Sequence, residues 1–78
     1  MNKELALKEF GMHLRSIRKN QELSQEKLAE YCQLDRTYIS GLERGLRNPS
    51  LTCLILLSEG LKIKTSELLD GIKLIENK

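Results

Sequence analysis

Apolar residues recur in steps of three and four along most of the chain and nowhere alternate with period two, so the pattern predicts helices and no strands. From Glu4 to Lys19, Leu7, Phe10, Leu14 and Ile17 form one stripe and predict a first helix. The pattern breaks over Asn20 to Leu23. Ser24 then offers an N-cap hydroxyl to the free amides of a second helix, about Gln25 to Tyr31, with Glu26 in the first turn where the helix dipole favours an acid. Asp35 is the next N-cap. Ile39 and Leu42 give a short third helix that ends at Gly45, a residue suited to closing a helix. Pro49 disfavours helical geometry at Asn48, so Arg47, Asn48 and Pro49 read as a loop, and Ser50 caps a fourth helix from about Leu51 to Leu61. A last helix is expected from about Thr65 to Glu76. The expected fold class is all-α, a single domain over residues 1–78 built from five short helices.

The last two helices carry more apolar surface than one core-facing stripe requires, with Leu51, Leu54, Ile55, Leu56, Leu57 and Leu61 on the fourth and Leu68, Leu69, Ile72, Leu74 and Ile75 on the fifth. A single core in a chain this short rarely contributes more than about 3–5 kcal/mol. Self-association is therefore expected, with residues from about 50 to 78 as the dimerisation region and Leu54, Leu57, Leu68, Ile72 and Ile75 as candidate interface residues. The same five side chains could instead fill the chain's own core.

Composition removes several classes of function. Cys32 and Cys53 have no CxxC spacing and His13 is the only histidine, so no metal or redox constellation is expected, and the cysteines read as small hydrophobes. No Gly-rich phosphate loop and no nucleophile–base arrangement is present, and a chain of 78 residues leaves little room for a substrate cleft, so neither an enzyme nor a cofactor is expected. Met1 to Lys8 lacks the apolar run of a signal peptide, and Cys53 to Leu57, the longest apolar stretch, is too short to span a bilayer. A cytoplasmic location is expected.

The third helix carries the most information. At about 100° per residue, Ile39 and Leu42 point one way while Arg36, Thr37, Ser40, Gly41 and Arg44 gather on the opposite face, which holds two arginines and two hydroxyls but no acid. Arginine can pair bidentately with guanine in the major groove, and threonine can meet the thymine methyl, while Gly41 and Ser40 are small enough for close approach. The small Ala29 would let the third helix cross near the second. The net charge of +2 is modest, yet residues 1–48 hold nine Lys/Arg against seven Asp/Glu, whereas residues 49–78 hold four of each. All of the excess falls in the half that carries this face. On pattern alone, a DNA-reading face and a merely solvated one both remain open.

The string SQEKLAEYCQLDRTYISGLERGLRNPSL, with FGMHLRSIRKNQELSQ leading into it, resembles the helix-turn-helix of the phage-repressor-like (XRE-type) regulators, over about Phe10 to Leu69. Within that family, LDRTYISGLER followed by RNPS most resembles the controller proteins of restriction-modification systems. The resemblance implies a compact repressor-like domain whose second and third helices form the helix-turn-helix. It also implies a cytoplasmic homodimer that regulates transcription from its own promoter, with a double-stranded DNA operator, a second copy of the chain and RNA polymerase as partners. By position, Arg36, Thr37, Tyr38 and Ser40 match base-reading residues, with Arg36 foremost. Gln25, Arg44, Arg47 and Asn48 match residues that bind the phosphate backbone, and Arg18 and Glu43 match an internal ion pair. Tyr38 also flanks the apolar face and could pack there.

Two positions depart from the family pattern. Gln33 stands where relatives often have Gly, so either it adopts a left-handed conformation or the turn differs. Lys64 stands where a capping residue is usual, so Thr65 is expected to cap instead. A different class of function, an antitoxin or other interaction protein that holds a partner chain with the same helices, is compatible with the same string.

Overall fold

The structure, a computed structural model, describes residues 1–73, and five α-helices lie among them: α1 (Lys3–Asn20), α2 (Gln25–Cys32), α3 (Arg36–Glu43), α4 (Leu51–Leu61) and α5 (Thr65–Leu69). Four of them open on a side-chain cap. Asn2 Oδ1 accepts from the Leu5 N–H at 3.0 Å, Ser24 Oγ from Lys27 at 3.0 Å, Asp35 Oδ1 from Thr37 at 3.1 Å and Ser50 Oγ from Cys53 at 3.1 Å. Each satisfies one of the donors that the first helical turn leaves free. α5 begins differently from expectation. Lys64, not Thr65, is its N-cap, and because lysine has no acceptor, the Glu67 carboxylate reaches back to the Lys64 N–H at 2.8 Å.

The ends of α1 to α4 follow one design. A residue with positive φ turns the chain, and the amide after it bonds back five residues: Leu23 to the Arg18 carbonyl, Leu34 to Ala29, Leu46 to Gly41 and Ile63 to Ser58, at 2.9–3.1 Å. The turning residues are Glu22, Gln33, Gly45 and Lys62, with φ of 59°, 58°, 77° and 59°. Glycine is present at only one of the four. Gln33 thus takes the left-handed conformation, and the helix-turn-helix keeps a tight turn without glycine.

α5 ends at Leu69, well before the expected Glu76. His13 Nε2 lies 2.8 Å from the Glu67 carbonyl, which also accepts from the Asp70 N–H at 3.3 Å, so the last turn of α5 is tied to α1. Residues beyond Lys73 are outside the described part, and the expected interface residue Ile75 is among them.

The core lies between all five helices. Leu14, Leu28, Ile39, Leu42, Leu57 and Leu68 have no exposed surface, and Phe10, Cys32 and Leu61 are nearly as buried. This corrects two of the expected interface residues: Leu57 and Leu68 are consumed by the monomer's own core and offer no surface to a second copy. Leu54 and Ile72 are half-buried at the core's edge. The exposed apolar side chains of this end are instead Leu51, Ile55 and Leu69. A shallow groove lined by Leu7, Phe10, Pro49, Leu54, Leu69 and Ile72 runs beside them.

Candidate nucleic-acid interface

α3 is held from behind by α1 through two contacts. At Gly11 a Cβ would fall inside van der Waals contact of the Leu42 and Glu43 carbonyl oxygens, so only glycine lets α1 come this close to the end of α3. Two turns further along α1, Arg18 meets Glu43 in a two-pronged ion pair, Nε to Oε2 at 2.6 Å and Nη2 to Oε1 at 3.0 Å. Arg18 Nη1 donates to the Leu23 carbonyl at 2.7 Å, and Gln25 Nε2 donates to Glu43 Oε1 at 3.0 Å. The Glu43 hydrogen bond raises the Arg18 guanidinium above its ordinary pKa against the opposing cost of burial. One carboxylate thus joins α1, α2 and α3. Gln25, expected at a phosphate, has one amide hydrogen committed inside this cluster and sits half-buried at the start of α2.

With Ile39 and Leu42 turned wholly inward, the other side of α3 faces out. Arg36, Thr37 and Arg44 are exposed and Ser40 is half-exposed. The structure brings these four onto one face, flanked by the exposed Arg47 and Asn48 of the following loop.

Two features of that face differ from the expectation. Gly41 is buried rather than open for close approach, because the Arg47 side chain folds back across it; a Cβ at Gly41 would lie 2.8 Å from Arg47 Cγ. The Arg47 guanidinium then lies over the Tyr38 ring, 5.9 Å from its centroid. Tyr38 is half-buried against the core and its hydroxyl lies beside the Cys53 thiol. Burial and that thiol push the phenol's pKa up, against the lowering effect of Arg47. Tyr38 is therefore a platform under Arg47 as much as a member of the outer face.

The second feature is an acid that reading α3 alone does not reveal. Glu26, in the first turn of α2, places Oε2 3.2 Å from Nε of Arg36, the first residue of α3. The sequence marks Glu26 only as a favourable first-turn acid; the crossing of α2 on α3 brings it to Arg36. Gly11 carried no sequence signal either, since a glycine amid helical periodicity does not reveal what presses on it. Behind the face, burial raises the Cys32 thiol's pKa to about 11, with neighbouring Cys53 adding to the shift. No cluster of potential metal ligands occurs among the described residues.

Comparison with known proteins places this arrangement. The family model described as helix-turn-helix matches residues 14–68. The chain is similar to control protein C.BamHI of Bacillus amyloliquefaciens, 48% identical over 62 residues that cover 78% of this chain and 76% of that one. It is likewise similar to control protein C.MunI of a Mycoplasma species, 48% identical over 65 residues, 82% and 88% of the two chains. Among solved structures, the restriction-modification controller protein C.AhdI of Aeromonas hydrophila superposes with a TM-score of 0.78 at 47% identity, covering 80% of this chain and 94% of that one. With its outward α3 face, buried ion-pair frame and tight turn in the same span that the family model matches, the chain belongs to the helix-turn-helix family, in the group of transcriptional regulators that includes the restriction-modification controller proteins.

Proposed function

We propose that the chain acts as a homodimer that places two copies of α3 in successive major grooves of an operator upstream of its own gene, as a controller of a restriction-modification system. The observation that carries this reading is the outward face of α3, which combines exposed Arg36, Thr37 and Arg44 with Ser40 on a helix whose other side is fully buried. Arg36, Thr37 and Ser40 read base edges, with Arg36 suited to guanine. Arg44, Arg47 and Asn48 flank them and bind the phosphate backbone, as does Gln25 with its uncommitted amide hydrogen at the N-terminus of α2. Tyr38 contributes by carrying Arg47.

The similarity to control proteins over most of their length supports the regulatory role. Exposed Leu51, Ile55 and Leu69, continuous with half-buried Leu54 and Ile72, form the surface through which a second copy would pair. Occupancy of such an operator would set the access of RNA polymerase to the promoter. A location in the cytoplasm fits a DNA-binding role, and no helix among the described residues is long and apolar enough to cross a membrane.

Footprinting on the DNA immediately upstream of the gene tests this reading. Two protected half-sites about 34 Å, or roughly 10 base pairs, apart are expected. Protection of a single half-site, or none, would overturn it.

A further inference from the structure

The contact between Glu26 and Arg36 is unusual in its setting. It places a carboxylate on a face that otherwise presents cations and hydroxyls, at 3.2 Å from Arg36 Nε, with the side chains 68% and 56% exposed. A pair this exposed adds little to stability. Its effect falls instead on where the guanidinium points. Arg36 has no other partner among the described residues, and its side chain alone would sample many rotamers. The carboxylate approaches Nε, the inner nitrogen, and the two terminal nitrogens are the ones that can form the forked edge that meets guanine O6 and N7. Glu26 is held in turn by the positive end of α2, and its charge also acts on Arg18.

A carboxylate at this place has a second consequence. It repels phosphates on every DNA sequence, so it lowers general affinity while holding the reading arginine.

We propose that Glu26 is a positioning residue for sequence discrimination: its charge holds the Arg36 guanidinium beside the start of α2, Nε nearest the carboxylate, so that the terminal nitrogens meet one base edge, and it penalises complexes in which Arg36 swings away to a phosphate. This rests on the reading of Arg36 as a base contact. Glu26 is thereby a residue whose removal strengthens binding and weakens choice.

The test compares the full-length wild-type chain with Glu26→Gln, Arg36→Ala and the double variant. Each is challenged with a pool of duplexes carrying a fully randomised central segment, and preference at every base pair is read by sequencing the bound fraction. Thermal unfolding of each variant is measured alongside. Arg36→Ala is expected to abolish the preference at one base pair of each half-site. Glu26→Gln is expected to weaken preference at that same base pair by about fivefold or more. Its affinity for the unselected pool should rise severalfold while the unfolding midpoint falls only slightly, as loss of a first-turn acid requires, and it should add no loss of preference to Arg36→Ala. A profile in which Arg36→Ala removes the preference and Glu26→Gln leaves it intact, or alters only another base pair, overturns the positioning role. A profile unchanged by Arg36→Ala overturns the base-reading assignment of Arg36 itself, and the role of Glu26 with it.

Discussion

Arg18 and Glu43 form a bidentate ion pair across the α1–α3 boundary, with side chains only 9% and 3% exposed. Its geometry makes the two residues unequal in their absence. Removing Arg18 leaves a buried carboxylate with Gln25 as its remaining partner, a loss of about 3–5 kcal/mol for an isolated buried charge. Replacing both with apolar residues removes the charge along with its partner. Arg18→Met is therefore expected to cost more stability than the double variant Arg18→Met/Glu43→Leu in urea unfolding. Equal losses, or a larger loss in the double variant, would show that the pair is not what holds α3.

The turning residues offer a stabilising change. Gln33 and Lys62 hold φ of 58° and 59°, a conformation that costs a residue with a Cβ about 1–2 kcal/mol relative to glycine, part of which is offset by glycine's greater freedom when unfolded. Gln33→Gly and Lys62→Gly should each raise stability by up to about 1 kcal/mol, and Gly45→Ala should lower it. Thermal unfolding of the three variants checks the signs.

Gly11 should behave opposite to an exposed helical glycine. Gly→Ala in a helix ordinarily gains about 1 kcal/mol. Here the added methyl would press on the Leu42 and Glu43 carbonyl oxygens, backbone atoms that cannot yield without moving α3. Gly11→Ala is expected to destabilise by about 1–3 kcal/mol and to weaken DNA binding with it. A stabilised variant would mean that α1 and α3 can separate freely.

The pH dependence follows from Cys32. Its thiol titrates near 9.0 when unfolded and near about 11 when folded, because burial disfavours the thiolate. Below pH 9 both states keep the proton and the site contributes nothing to the slope. As pH rises from about 9 to about 11 the unfolded chain loses its proton first, so stability falls through that window, by at most about 2–3 kcal/mol. Urea unfolding of the wild type and Cys32→Ala across pH 8–11 in reducing buffer, on the order of the window above, should show a steeper alkaline decline in the wild type. Parallel curves would contradict this.

Much of the fold was legible because periodicity and caps report local physics. Ser24, Asp35 and Ser50 mark the starts of α2, α3 and α4, and the stripe of Ile39 and Leu42 identifies the inner side of α3. What escaped is decided by which element arrives from elsewhere. Periodicity says that Leu57 and Leu68 are buried on something, but not whether that is the same chain; the packed structure assigns them to its own core. The last turn of α5 meets His13, more than fifty residues away. At the site, the outward residues of α3 were readable from the helical period, whereas long side chains choose partners by tertiary geometry. Arg47 folding over Gly41 and Tyr38, and Glu26 reaching Arg36, are both of that kind.

The central claim is that Arg36 on the outward face of α3 reads sequence while its basic neighbours bind any DNA. The most direct measurement is the ratio of affinities for the footprinted operator and a scrambled duplex at one salt concentration, in the wild type, Arg36→Ala and Arg47→Ala. Arg36→Ala is expected to reduce that ratio by about 1–3 kcal/mol equivalent per half-site, while Arg47→Ala weakens both duplexes alike and leaves the ratio unchanged. An Arg36→Ala variant that keeps the wild-type ratio would contradict the account.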